Sequence, residues 1–225
     1  MDTQLSFAGV ASLIGDAARA AMIDRMMDGG SHAAAALAEA AGVSAQTASA
    51  HLARLVAGGL VAVEKEGRHR RYRLKNAQVA AAVEALSALA LPGHARPRMA
   101  VMAAARTCYD HLAGKLGVAA ARALEEGGML VRAGDRYELT SQGRAYLAGT
   151  LGVDVEAALL EKRPLARCCL DWTERQPHLA GALGAALARR AFLAGWVEPR
   201  SGTRAVAVTP AGACVFEREF GYRAA

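Results

Sequence analysis

The 225-residue chain is poor in aromatics, at 5%, and has few β-branched runs, which argues against a mainly β fold and for a mostly helical one. No stretch reaches the ~18 uninterrupted apolar residues of a membrane span. The opening Met1-Asp2-Thr3-Gln4 is not a basic segment leading into an apolar run. Neither a membrane partner nor a signal peptide is therefore expected. Cysteine is scarce and one-sided. Cys108, Cys168, Cys169 and Cys214 all lie in the second half, at spacings unlike a disulfide framework, so a reducing cytoplasm is the expected setting. Catalytic motifs are missing too: there is no Gly-rich phosphate loop, no Gly-x-Ser-x-Gly elbow and no His-Glu-x-x-His. A redox enzyme built on vicinal Cys168-Cys169 is the remaining catalytic alternative. It is disfavoured because adjacent cysteines do not readily close an internal disulfide without backbone strain. The chain is not expected to be an enzyme.

What is present is apolar residue, 53%, against 21% charged, enough for a sizeable core in one large domain or two small ones. Net charge is +6, and it is concentrated. Residues 44–75 hold seven basic side chains (Arg54, Lys65, Arg68, Arg70, Arg71, Arg73, Lys75) against two acidic ones, Glu64 and Glu66, a local net of +5. A merely solvated basic surface would scatter that charge; a focus suits a phosphate backbone.

Apolar spacing predicts one amphipathic helix over 5–28, carrying Leu5, Val10, Leu13, Ile14, Ala17, Ala21, Met22 and Met26 and ended by Gly29-Gly30. Ser31 is the expected cap of a short helix over 32–40. Gly42 permits a tight turn, Val43 plugs the angle, and Ser44 caps a second helix over 44–58. The outer face of that helix carries Gln46, Thr47, Ser49, Ala50 and Arg54, small and polar as a major-groove reader requires; its inner face carries Ala48, Leu52, Leu55 and Val56. Leu60–Val63 and Arg70–Leu74 read as strands joined by a turn at Glu64–His69, a basic hairpin whose tip can reach backbone or minor groove. The expected contacts to double-stranded DNA are Ser44, Gln46, Thr47, Ser49, His51, Arg54, Arg68, His69, Arg70, Arg71 and Tyr72. For His51 a partly buried packing role is the alternative. His69 faces DNA or solvent, and His32 and His94 are expected to be solvated.

The run Leu37-Ala38-Glu39-Ala40-Ala41-Gly42-Val43-Ser44 through Leu55, then Gly59-Leu60-Val61, then Gly67-Arg68-His69-Arg70-Arg71-Tyr72-Arg73-Leu74, resembles the ArsR/SmtB family of winged-helix repressors over about residues 5–90. The resemblance implies a homodimer joined by the first helix and by the helix after the wing, here 76–91. It also implies repression at an operator, relieved by an effector. The family's metal sensors carry a cysteine pair where this chain has Leu37-Ala38-Glu39-Ala40-Ala41. They carry Asp and His ligands on the helix after the wing, which here is Asn-Ala-Gln-Val followed by mostly apolar residues. Both sites are missing from this sequence, so an effector is expected to act elsewhere. A winged helix that binds protein, and an architectural protein that binds DNA without specificity, are the competing readings. The charge focus opposes the first, and the small polar helix face opposes the second.

After a proline-broken linker at 91–97 the chain looks internally repeated. Ala105-Arg106-Thr107-Cys108-Tyr109-Asp110 aligns with Ala166-Arg167-Cys168-Cys169-Leu170-Asp171, and His111-Leu112-Ala113-Gly114 echoes His178-Leu179-Ala180-Gly181. Each copy runs through a helix into a hairpin (129–139 and 196–208) and then a helix capped by Thr140 or Thr209. The expected architecture is mainly α with small β-hairpin wings. A winged helix-turn-helix spans 1–91, and two degenerate winged-helix-like repeats form an effector domain over 98–225. Candidate effector residues are Cys108, Asp110, His111, Cys168, Cys169, Asp171 and Trp172. Cys108 and His111, three apart, are expected to share a helical face. With Cys169 they would hold a thiophilic metal such as Zn(II) or As(III). A thiol switch, with Cys108 or Cys169 lowered in pKa by Arg106 or Arg167, is a second reading. A small organic ligand in a pocket lined by Tyr109, Trp172 and methionines is a third. The bland alternative is packing: free cysteine is often a small buried hydrophobe, and an Arg and an Asp four apart on a helix are often just an ion pair. Cys214 is expected in the core.

Overall fold

A computed structural model describes residues 6–67, 69–89 and 99–224. Among them helices take about half of the chain and the sheets are small and antiparallel. No described helix is long and apolar enough to cross a membrane. The chain divides into two compact units, one ending at Val83 and one starting at Glu84, each with its own core. The linker expected at 91–97, His94 within it, Leu5 and Arg68 lie outside the described residues.

The first unit begins with two helices where the apolar spacing suggested one: α1 (Phe7–Ile14) and α2 (Ala17–Met26). Two local signals break the run. Gly15 closes α1, and Asp16 caps α2 by accepting a hydrogen bond from the Arg19 amide. A tertiary contact then holds the break. The buried Arg19 guanidinium donates to the Leu13 and Ser12 carbonyls at 2.6 and 2.8 Å, satisfying the orphan C-terminal acceptors of α1.

Ser31 does not cap the next helix. His32–Ala33 instead form a short strand, β1, and α3 starts after it (Ala34–Ala41). His32 is buried rather than solvated, paired with Asp28 Oδ1 at 2.9 Å. Gly42, at φ 64°, ends α3 in a left-handed conformation that an L side chain rarely adopts. Ser44 then caps α4 (Ala45–Ala57), its Oγ accepting from the Thr47 amide. The hairpin strands are longer than expected: β2 (Val61–Glu66) pairs with β3 (His69–Leu74) out to Glu66 opposite His69, so Glu64, Lys65, Glu66 and His69, expected in the turn, lie on the strands. The sheet order is β1-β3-β2. The helix α5 (Ala77–Leu89) follows. Met22, Ile23, Met26, Leu37, Leu52, Leu55, Leu60 and Tyr72 are buried together. Each fully buried Leu or Ile contributes about 1.5–3 kcal/mol by leaving water.

In the second unit α6 (Met99–Ala104) leads into the hairpin β4 (Arg106–Cys108) and β5 (His111–Ala113), the helix α7 (Gly114–Glu126), the hairpin β6 (Leu130–Ala133) and β7 (Arg136–Leu139), then α8 (Ser141–Gly149) and α9 (Val155–Leu159). The same order of hairpin, helix, hairpin, helix then returns in β8 (Arg167–Leu170), β9 (Pro177–Ala180), α10 (Gly181–Leu193), β10 (Val197–Pro199), β11 (Val206–Val208) and α11 (Pro210–Phe220). Thr140 and Thr209 cap α8 and α11, accepting from the amides of Gly143 and Gly212. Strand β7 meets β8 at Arg136 opposite Arg167, while Arg106 bridges to Ala205, just before β11. Helix α7 packs on β9 and α10 on β5. Two glycines allow that approach. A Cβ on Gly117 would lie 2.4 Å from the Leu112 carbonyl oxygen, and one on Gly184 only 2.3 Å from that of Leu179 and 3.2 Å from His111 Cβ. The core runs through Leu116, Leu124, Leu147, Leu183, Leu187 and Phe216. Cys214 is exposed, not buried: Gly212, Phe216 and Phe220 form the inward stripe of α11, which leaves Cys214 on the other face.

Candidate functional site

Two places concentrate chemistry, one in each unit. The first is the outer face of α4 and the wing. Gln46, Thr47, Ser49 and Arg54 are exposed on α4, as their spacing predicts. Two are partly committed to the helix itself: Thr47 Oγ1 lies 2.9 Å from Ser44 Oγ, and the Ser49 hydroxyl donates to the Ala45 carbonyl. His51 leans back into the unit, 3.3 Å from an Arg19 nitrogen and 3.6 Å from Asp16, so the packing alternative describes it. Tyr72 also departs from the expected contact set. It alternates inward on β3 and is buried in the core opposite Val63.

On the wing, Arg71 donates to Glu66 at 2.8 Å and Arg73 to Glu64 at 2.7 Å, so the two acidic residues are spent on two of the guanidiniums. Lys65 and Arg70 stand directly opposite each other in the register, both exposed, and neither pairs with a carboxylate among the described residues. Like charges at cross-strand positions repel, and an anion placed over the pair relieves that repulsion. His69 is exposed beside them.

The second place is where the two Ala-Arg-x-Cys-x-Asp motifs come together. Neither motif is helical. Cys108 lies on β4 directly opposite His111 on β5, across a tight turn in which Tyr109 takes φ 59°. Cys169 on β8 lies directly opposite His178 on β9 in the same way, across a longer loop. The expectation that Cys108 and His111 share a helical face is therefore corrected to a hairpin pair. Period-two alternation turns Arg106 and Cys108 to the same buried side. The four ligand-type atoms of Cys108, His111, Cys169 and His178 all fall within 4.8 Å of one another. The two imidazole Nε2 atoms are 3.1 Å apart. Cys108, His111 and His178 are buried and Cys169 is half-buried.

Each histidine is backed by an acid. His111 Nδ1 is 3.2 Å from Asp110 Oδ1, and His178 Nδ1 is 3.6 Å from Asp171 Oδ2. Arg163 in turn holds the other Asp110 oxygen. Asp171 is held by the Arg106 guanidinium at 2.9 Å and by the Gly114 amide at 2.7 Å, with Thr173 and Glu174 donating to its other oxygen. Burial alone would raise the Asp171 pKa, but Arg106 and these donors outweigh it and hold it at about 2.

The Cys108 thiol has one proton and two acceptors in reach, the Glu84 carboxylate at 3.2 Å and the Cys169 sulfur. Its hydrogen bond to Cys169 and its burial push it up to about 12. Accepting that bond lowers the pKa of Cys169. Arg106 therefore does not activate Cys108; its guanidinium is committed to Asp171, Thr173 and the Met102 carbonyl. Burial opposes protonation of His111, but Cys108 and Asp110 together raise it above the usual imidazole value.

The other sequence candidates fall outside this cluster. Cys168 alternates to the far side of β8 and packs on the core beside Tyr137. Trp172 lies under the Arg106 guanidinium, 4.9 Å from its ring centre, and Tyr109 points outward, 71% exposed. Two clefts of about 270 and 250 Å3 are lined instead by residues such as Lys115, Arg122, Glu174 and Gln176, and neither includes Tyr109 or Trp172. Sequence reasoning missed His178, although the echo His111-Leu112-Ala113-Gly114 and His178-Leu179-Ala180-Gly181 carried the signal. It also missed Glu84 and Arg163, which come from α5 and from the segment before β8, with no local pattern to announce them.

The MarR family pattern matches residues 18–71, the stretch from α2 into β3. A solved homodimeric winged helix-turn-helix DNA-binding domain from Mycobacterium bovis, described as a possible ArsR-family transcriptional regulator, is 30% identical. It covers 40% of this chain and 86% of that one at a TM-score of 0.34. NolR from Sinorhizobium fredii is 29% identical, over 36% of this chain and 79% of that one, at a TM-score of 0.33. Both scores are too low for a fold inference from those two chains. The whole-length likeness is to YdfF of Bacillus subtilis, an uncharacterized HTH-type transcriptional regulator, 39% identical over 97% of this chain and 98% of that protein. With a winged helix-turn-helix in its first unit and a relative that matches it end to end, the chain belongs to the HTH-type transcriptional regulators, proteins that bind DNA.

Proposed function

We propose that the protein is a homodimeric repressor of the ArsR/SmtB type that acts on double-stranded DNA in the cytoplasm and is released by an effector received in its C-terminal part. The observation that carries the DNA reading is the pairing of a Ser44-capped helix, its outer face bearing exposed Gln46, Thr47 and Arg54, with a wing whose Lys65 and Arg70 lack acidic partners among the described residues. Gln46, Thr47, Ser49 and Arg54 enter the major groove. Arg68, His69, Arg70 and Arg71 hold the backbone or line the minor groove. Phe7 on α1, at 90% exposure, and Leu86 and Leu89 on α5 are large apolar side chains left in solvent, which supports dimerisation through those two helices. Residues 1–91 form the DNA-binding and dimerisation part. Residues 98–225 are a duplicated, degenerate winged-helix-like part whose hairpin turns carry far less positive charge than the wing.

The test is fluorescence anisotropy with DNA from upstream of the protein's own coding region, across salt and against scrambled sequence. Arg70→Ala is expected to weaken binding to all sequences and reduce the salt slope by about 1; Gln46→Ala is expected to narrow the gap between operator and scrambled DNA by about 1–3 kcal/mol. A wild-type protein with equal, purely salt-driven affinity for every sequence would be an architectural DNA binder instead.

A further inference from the structure

We propose that Cys108, His111, Cys169 and His178 form a closed tetrahedral site for a thiophilic d10 cation, zinc(II) foremost, that ties the β4–β5 hairpin to the β8–β9 hairpin. Zinc bonds of about 2.3 Å to sulfur and 2.0–2.1 Å to nitrogen place tetrahedral ligand atoms about 3.3–3.8 Å apart. The observed cluster, with every ligand pair within 4.8 Å and the two Nε2 atoms already at 3.1 Å, needs only side-chain adjustments to reach that geometry.

The environment supplies what such a site requires beyond ligands. Both imidazoles turn Nδ1 toward a carboxylate, Asp110 or Asp171, which orients Nε2 inward as the ligand atom. If both Nδ1 atoms carry protons, two Nε2 lone pairs face each other at 3.1 Å, and a cation between them turns that repulsion into two bonds. His178 is almost fully buried, and its Nδ1 makes no hydrogen bond among the described residues, the Asp171 carboxylate standing 3.6 Å away, just out of reach. Two thiolates and two neutral imidazoles leave a neutral complex with zinc(II), so the buried site holds no excess charge. Both thiol protons leave on binding; that of Cys108 has the Glu84 carboxylate beside it as an acceptor. All four positions are protein side chains, with none left for water, so the site is structural or sensory rather than hydrolytic.

Each hairpin supplies one cysteine and one histidine. The site therefore exists only where the two motifs meet, and metal binding staples residues about sixty positions apart. A regulatory consequence rests on the effector reading above: Glu84 lies on α5, so loading the site removes a hydrogen bond that this helix makes to Cys108.

The experiment uses the full-length reduced protein, stripped with chelator and titrated with cobalt(II) and then zinc(II). Expected are one cobalt per chain, the intense visible bands of a tetrahedral ion with a thiolate charge-transfer band in the near ultraviolet, and displacement by one zinc. Cys168→Ser is expected to retain all of this, because Cys168 faces the other side of β8. Cys169→Ser is expected to lose the charge-transfer intensity and most of the affinity. Asp110→Asn, at a half-exposed acid that touches no metal, is expected to weaken binding about 10–100-fold. Absence of a tetrahedral cobalt spectrum in the wild type, equal loss in Cys168→Ser and Cys169→Ser, or formation of a Cys108–Cys169 disulfide under mild oxidant with no metal uptake would each overturn the site. DNA anisotropy with and without zinc separates the two levels: a loaded site that leaves operator affinity unchanged keeps the metal and removes its role as the effector.

Discussion

Asp171→Ala removes the carboxylate from an ion pair buried on both sides. Arg106 Nη2 and Asp171 Oδ2 are 2.9 Å apart and both side chains are 0% exposed. Were the pair at the surface, its loss would matter by less than about 1 kcal/mol. Buried, the truncation strands the guanidinium in a low-dielectric interior and costs about 3–5 kcal/mol. The Gly114 amide and the Thr173 hydroxyl lose their acceptor at the same time. Against a total stability of about 5–15 kcal/mol for a domain, the variant is left close to the edge of folding. With a urea slope of about 2 kcal/mol/M, its unfolding midpoint falls by about 2 M. The chain has two tryptophans, Trp172 and Trp196, both in the second unit, so intrinsic fluorescence follows that unit alone. The double variant Arg106→Met with Asp171→Leu removes both charges and is expected to recover the part of the loss that comes from the stranded guanidinium, while the Gly114 and Thr173 donors still lack their acceptor. A single Asp171→Ala variant within about 1 kcal/mol of wild type refutes the reasoning, because the pair would then behave as a solvated one.

The same carboxylate sets an acid limit. Its folded pKa of about 2 lies below the ordinary 3.8, so its stabilisation is fully present above pH 4 and is lost as pH falls through about 2. The loss amounts to about 2 kcal/mol, read as a tryptophan-monitored urea midpoint that drops between pH 4 and pH 2 in wild type and stays flatter in the double variant. Gly184→Ala adds a methyl 2.3 Å from the Leu179 carbonyl. Despite alanine's helix preference of about 1 kcal/mol over glycine, it is expected to destabilise the second unit by about 1–3 kcal/mol, and a rise in urea midpoint would contradict that packing. Ser44→Ala removes the cap of α4 and is expected to lower stability by about 1 kcal/mol by circular dichroism; an unchanged melt would mean that the cap is replaced by solvent.

The winged helix-turn-helix was legible because its signals are local. Gly42, Ser44 and the Leu52/Leu55 stripe act within a few residues of one another, and the alternation in β2 and β3 needs no distant partner. The misread helix over 5–28 shows where locality ends. Its apolar spacing continues across Gly15-Asp16, and the break is held by Arg19 reaching back to the carbonyls of Ser12 and Leu13 and by His51 on another helix. Charge counting also overstated the free wing cations. Composition recorded two acids against seven bases, but only the strand register tells that Glu64 and Glu66 hold Arg73 and Arg71 while Lys65 and Arg70 face each other.

The cysteine–histidine cluster was half legible for a related reason. A spacing of three between Cys108 and His111 suits a helical face, and it equally suits a tight hairpin that puts the two directly across from each other. Spacing within one copy does not choose between them. The second copy does: Cys169 and His178 are nine apart, which no single helical face joins closely, whereas an antiparallel hairpin tolerates any loop length between paired positions. Insisting that both copies obey one geometry would have excluded the helix and brought His178 into the set. The same comparison separates Cys168 from Cys169, because only the residue that aligns with Cys108 can alternate to the histidine side. The acids behind the cluster obey no such rule. Asp110 and Asp171 sit at matching positions, yet Arg106 pairs with Asp171, sixty-five residues away, and Asp110 with Arg163. The pairing is therefore neither within one motif nor reciprocal between the two, since Arg163 lies outside the motif, and no spacing in the sequence announces it.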